Sequence, residues 1–136
     1  MSDPAFASTV VVTKKQDVGK KDTGQSQGMK RMAAITGLAQ GICASVMTAE
    51  PHSKSAVHTH GDQDTIVYAS KGVGKISFEG GRRVVEVREG DFALIPRHCE
   101  HQEINDSDGV IEWIITRSGT DPVVENLDVW ETSVKS

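Results

Sequence analysis

DTIVYASKGVGKISFEGGRRVVEVREGDFALIP, residues 64–96, alternates apolar and polar side chains with a period of two and is punctuated by Gly72, Gly80-Gly81 and Gly90. Successive side chains of a strand point to opposite faces, so the pattern predicts short, half-buried strands joined by tight turns. DTIVYAS, GVGKISF, RRVVEVR and DFALIP are the first four, and CEHQEIN and GVIEWIITR continue the series toward the C-terminus. Six strands at intervals of about ten residues are the rhythm of an all-β sandwich or barrel. In the turn EGGR, residues 79–82, Gly80-Gly81 can take the positive φ values of a type I′ hairpin.

Upstream, MKRMAAIT and GICASVMTAEP read as two more strands, broken at Gly41 and ended by Pro51, whose nitrogen cannot donate to a ladder. STVVVT, residues 8–13, reads as a first short strand after a polar N-terminal segment, residues 1–8. VGKKDTGQSQG, residues 18–28, reads as a polar loop able to move over a site. In the C-terminal tail PVVENLDVWETSVKS, Val124, Leu127 and Trp130 can dock on the barrel or on a partner subunit. No internal repeat and no second domain interrupts residues 1–136, and a chain of this size buries roughly two-thirds of its unfolded surface, enough for a core without staples.

Composition narrows the function classes. The net charge is -4, and the basic pairs Lys14-Lys15, Lys20-Lys21, Lys30-Arg31 and Arg82-Arg83 never build a run, which argues against a nucleic-acid partner. No segment approaches the roughly 18 apolar residues of a membrane span, and the opening MSDPAFASTVVV has no signal-peptide pattern, so the expected location is cytoplasmic. The cysteines, Cys43 and Cys99, are too few for a disulfide framework and are expected to be reduced.

The chemistry concentrates in two places. In AVHTHGDQDT, His58 and His60 lie two apart on one predicted strand face, so their imidazoles can take adjacent positions on one ion at about 2.0–2.2 Å. Asp64 starts the next strand, from which a carboxylate can swing to the same point. PRHCEHQEIN supplies a third imidazole from either His98 or His101. Three imidazoles and a carboxylate suit Fe(II), Mn(II), Ni(II) or Zn(II) and leave positions open for water and substrate.

The stretch Pro51 to Gly74, with HTHGDQD, resembles the first motif of the cupin superfamily, in which two histidines spaced by one residue are followed by a glutamate and, after a strand, a glycine. GDFALIPRHCEHQEIN, residues 90–105, resembles the second, with Gly90, Pro96, His101 and Asn105 in register. The resemblance, to a small single-domain cupin, implies a double-stranded β-helix, or jelly-roll barrel, and makes His101 the third imidazole ligand. Two positions depart from the pattern. Asp64, one methylene shorter, stands at the glutamate position, with Gln63 beside it as an alternative amide ligand. His98 stands where the family has a turn glycine.

The function this implies is that of a metal-dependent enzyme acting on a small oxygenated organic molecule, of oxygenase type. A non-redox isomerase, lyase or decarboxylase, and a non-catalytic ligand-binding barrel, are the alternatives. Neutral His58, His60 and His101 would hold one divalent transition metal, Fe, Mn, Ni or Zn, per chain, and Asp64 would complete the fourth position. Glu103, Tyr68 or His98 would move protons. Glu103 and Cys99 share the inward parity of His101, while Tyr68 is expected inward with Ile66 and Asp64. Trp113 is expected to pack against the second sheet, and Asn105 to fix a turn. Small jelly rolls often bury an edge strand in a two-fold partner, so a homodimer is expected, with STVVV or the Trp130 tail as contact.

Overall fold

A computed structural model of the chain describes residues 6–20, 22–26 and 28–131, and for residues 22–26 the backbone alone. The strands are β1 (Asp22–Ser26), β2 (Met29–Ile35), β3 (Ile42–Ala49), β4 (Ser53–Lys54), β5 (Val57–Thr59), β6 (Thr65–Lys71), β7 (Gly74–Phe78), β8 (Arg83–Val87), β9 (Phe92–Ile95), β10 (His101–Asn105), β11 (Ile111–Ser118) and β12 (Glu125–Leu127). They form two antiparallel sheets, one in the order β1-β2-β3-β11-β6-β9 and the other in the order β12-β5-β10-β7-β8, with β4 pairing β10. This is the expected all-β jelly roll. Among the described residues no helix is long and apolar enough to cross a membrane.

Alternation explains the layering. In β11, Ile111, Trp113, Ile115 and Arg117 point inward while Glu112, Ile114, Thr116 and Ser118 lie at the other face. Met47 and Ala49 of β3, Val67 and Ala69 of β6, Ile76 of β7 and Val87 of β8 join Ile111, Trp113 and Ile115 in one core between the sheets. Trp113 is completely buried, as its sequence context suggested. Its indole lies so close to β7 that a Cβ on Gly74 would come within 2.7 Å of Cζ2, which is why that strand begins with a glycine.

Several local expectations are corrected. STVVVT forms no strand: residues 8–13 have no regular pairing, and Val10 is 92% exposed, because no strand edge lies beside it to complete a ladder. Within the supposed loop of residues 18–28, Asp22–Ser26 forms β1, whose backbone pairs antiparallel with β2. The EGGR turn is not a two-residue hairpin; Glu79, Gly80 and Gly81 all have positive φ, and Phe78 pairs with Arg83 across four residues. In β6 the inward residues are Thr65, Val67 and Ala69, so Tyr68 and Ile66 face outward. Both faces of TIVYA are apolar, and the place beside Trp113, which pairs with Ala69, takes a small side chain.

The C-terminal tail docks on the barrel itself. Leu127 of β12 pairs with Val57 of β5, and Trp130 reaches the Gly81 turn. Asn105 ends β10 as expected: its Nδ2 donates to the carbonyls of Ala49, Glu50 and Gly109, and its Oδ1 accepts from Ser107 N.

Candidate metal centre

His58 sits on β5 directly opposite His101 of β10 in register, and His60 follows as β5 ends. The three ring centroids lie 4.3–5.0 Å apart, and with Glu103 they form a buried group whose candidate ligand atoms all fall within 4.8 Å of one another. Glu103 comes two residues after His101 and therefore shares its inward face, as parity predicted.

Backbone carbonyls set the tautomers. His58 Nδ1 donates to Ala56 O at 2.8 Å, His60 Nδ1 to Val123 O at 2.9 Å and His101 Nδ1 to Cys99 O at 3.0 Å. A carbonyl oxygen only accepts, so each Nδ1 carries a proton, and each ring turns its Nε2 toward the centre.

Glu103 meets two of these Nε2 atoms. Its Oε2 lies 2.9 Å from His101 Nε2 and 3.1 Å from His58 Nε2, while Oε1 accepts from Arg31 Nη2 at 2.6 Å. His58 Nε2 is nevertheless a buried nitrogen without a hydrogen bond. Two lone pairs facing one carboxylate oxygen require positive charge between them, as an added imidazole proton or as a cation. A divalent ion therefore fits these residues. Burial pushes the Glu103 carboxyl up, but positive charge at His58 and Arg31 and hydrogen bonding from His101 outweigh it and hold the group well below the usual carboxylate range. His60 is pushed down to about 2 by burial, by the Arg117 guanidinium and by His101, so its ring is neutral at working pH. Arg117 Nη2 donates to His60 Nε2 at 3.3 Å, and burial lowers that guanidinium to about 10.

Four other expected site residues are not part of the cluster. Asp64 precedes the inward Thr65 by one residue and so points outward, where its carboxylate accepts from Arg97 N and Nη2, both at 3.0 Å. Those bonds hold its carboxyl below the ordinary value, and it is no candidate ligand here. Gln63 is buried, but its Nε2 donates to Asp121 O at 2.6 Å and its Oε1 accepts from Val123 N at 2.8 Å, which ties the β5–β6 turn to the segment before β12. Tyr68 packs on Phe92 at the outer surface, with ring centroids 4.8 Å apart. His98, with φ 63 at the expected glycine position, is exposed and pairs with Asp62 at 2.8 Å. Cys99 packs against the core as a small hydrophobe, and burial raises its thiol.

Arg31 and Arg117 were missed. The available signal was their parity: Arg31 alternates with Met29 and Ala33, and Arg117 with Trp113 and Ile115, all of them inward. A cavity of about 810 Å³ lies between β7, β8 and β9, and His101 is the residue of the centre that lines it. Ile76, Val87 and Ile95 form apolar walls, and the exposed His98 is also part of the lining.

The profile of a family described as Cupin domain matches residues 45–117, which contain the whole His and Glu cluster. No curated protein matches the chain in sequence. Among solved structures it is similar to the polyketide cyclase RemF from Streptomyces resistomycificus, with TM-score 0.72, 17% identity and coverage of 92% of this chain and 90% of that one. It is also similar to KdgF from Halomonas sp., with TM-score 0.67, 17% identity and coverage of 82% and 94%. Bacillus subtilis oxalate decarboxylase, described with Mn(II) centres, matches with TM-score 0.69 and 18% identity over 79% of this chain and 30% of that one. At these identities the likeness establishes a shared fold.

Proposed function

Because this chain belongs to the cupin domain family, we propose that it is a divalent-metal-dependent enzyme acting on a small oxygenated organic molecule, with His58, His60, His101 and Glu103 holding one Fe, Mn, Ni or Zn ion. One observation carries the reading: three buried imidazoles spend their Nδ1–H groups on carbonyls and turn their Nε2 atoms toward a centre shared with one carboxylate. When bound, such an ion polarises a coordinated enol, carbonyl or carboxylate oxygen and, where redox-active, supports reaction with dioxygen.

The chain supplies the rest. The carbonyls of Ala56, Val123 and Cys99 hold the rings in their ligating tautomer, and Arg31 keeps Glu103 ionised and aimed at the centre. The apolar walls of Ile76, Val87 and Ile95 lower the polarity of the cavity beside His101, which would strengthen charge interactions there. Glu103 is committed to Arg31 and the imidazoles, so it is not the proton carrier. His98, on the cavity wall with Nε2 against Asp62, exchanges protons between cavity and solvent.

In its finer form the reading is an oxygenase-type reaction, supported by a ligand set that leaves room for both an organic oxygen and dioxygen. A second reading, a non-redox isomerase, lyase or decarboxylase, is favoured by Arg117, whose fixed charge beside His60 would stabilise an enolate without electron transfer. The test is elemental mass spectrometry on protein purified without a His-tag, beside His58→Ala and His101→Ala. Near one ion per chain, lost in both variants, is expected; no metal even after reconstitution overturns the reading. Oxygen uptake with enolisable compounds selects the first form, and turnover kept under anaerobic conditions with zinc selects the second.

A further inference from the structure

We propose that Arg117 and Thr65 form a subsite for a carboxylate of the substrate, so that the enzyme acts on a small organic acid rather than on a neutral molecule; this rests on the metal-dependent reading above. The two residues are register partners across β11 and β6, and they are 3% and 1% exposed. Such partners hold their Cβ atoms about 5 Å apart on one face of the sheet. Thr65 pairs in turn with Ile95 of β9, which lines the cavity. A row of inward side chains thus runs from the His60 side of the centre to the cavity wall.

Two polar atoms of this row are unclaimed. Among the described residues, Thr65 Oγ1 and Arg117 Nε are buried without a hydrogen-bond partner. The bond Arg117 makes to another side chain is the long one, 3.3 Å, to His60 Nε2, the same lone pair that a metal ion takes. Arg117 therefore loses that acceptor once His60 is a ligand. Arg31 is already matched by Glu103 at 2.6 Å, so with neutral imidazoles the buried guanidiniums outnumber the buried carboxylate before any ion is added. An unmatched buried cation is costly, and a carboxylate offers what the row lacks: one negative charge, and acceptors for guanidinium N–H groups and a hydroxyl. A neutral sugar or alcohol would leave the charge unbalanced.

The test is a titration of the Mn(II)-loaded full chain with pyruvate and with pyruvamide, its uncharged analogue, followed by water-proton relaxation and calorimetry. Wild type is expected to bind pyruvate at least about tenfold more tightly. Arg117→Gln, still carrying one Mn per chain, is expected to reduce that preference to about twofold, and Arg117→Lys to restore part of it by keeping the charge. Thr65→Val, which is isosteric, is expected to weaken pyruvate binding about threefold or more. Equal binding of the two ligands by wild type overturns the proposal without recourse to any variant, and so does a preference unchanged in Arg117→Gln, since the ion alone would then account for it. If wild type takes up no Mn, the metal reading fails separately. A calorimetric preference for pyruvate in that metal-free protein, lost in Arg117→Gln, would still support the subsite, and its absence would overturn it.

Discussion

Arg31 Nη2 and Glu103 Oε1 meet at 2.6 Å with side chains only 3% and 4% exposed, which joins β2 of one sheet to β10 of the other through the core. A buried pair of this kind gains little net stability, because desolvation of both ions offsets their attraction, but removing one partner strands the other.

Arg31→Met in the metal-free protein is therefore expected to cost about 3–5 kcal/mol in urea unfolding, because it leaves the buried Glu103 carboxylate without its guanidinium partner. The double variant Arg31→Met/Glu103→Met should recover most of that loss, and a double-mutant cycle with no coupling would contradict the pairing.

Metal binding to the folded state should raise stability by about 2.7 kcal/mol at a free ion concentration 100 times the dissociation constant. Chelation should abolish the gain, and His58→Ala and His101→Ala should not show it. Urea midpoints with and without Mn(II) make the measurement.

Asp64 and Glu103 offer a direct contrast. Asp64→Ala breaks a surface contact to Arg97 and should leave metal stoichiometry and affinity unchanged. Glu103→Gln keeps the shape but removes the charge facing two Nε2 atoms, and should weaken metal binding about tenfold or more. The reverse result would restore Asp64 as a ligand.

The pH dependence of the metal-free protein follows from His60, whose folded pKa near 2 lies below the unfolded value of about 6.5. Below that unfolded value the unfolded chain takes up a proton that the folded ring refuses. Stability is thus full above about pH 6.5 and falls with decreasing pH by up to about 1.4 kcal/mol per unit. Glu103, depressed in the fold, adds a loss of the same sign below about pH 4.5. Unfolding curves between pH 7 and 5 should show a slope that His60→Asn flattens.

Gly74→Ala should cost about 1–3 kcal/mol, because the new methyl would lie 2.7 Å from Trp113 Cζ2 and 2.9 Å from Ile111 Cδ1. A changed near-ultraviolet circular dichroism signal from Trp113 should accompany the shift.

Period-two patterning located β2, β3 and β6 to β11, and in β3, β10 and β11 it matches a strict alternation of buried and more exposed positions. It failed where a strand is defined by its neighbour. DTGQS is polar and contains a glycine, yet pairs with β2, whereas STVVVT looks strand-like and joins no ladder among the described residues. His58, His60 and His101 were legible from spacing and motif register, whereas the parity of Glu103 with His101 suggested an inward proton carrier and the ligand carboxylate was expected at Asp64. The phase of β6 was not, because apolar residues occupy both of its faces, and with it went the placements of Asp64 and Tyr68.

The sequence by itself determined the all-β architecture and the three imidazoles, because strand period and histidine spacing are properties of short segments. Only the tertiary structure decided which carboxylate and which cations face those imidazoles. Arg31, Glu103 and Arg117 come from β2, β10 and β11, and an arginine in a strand reads as solvent-facing until the opposite sheet shows what covers it. The balance of charge in the core is set between sheets, where no local pattern records it.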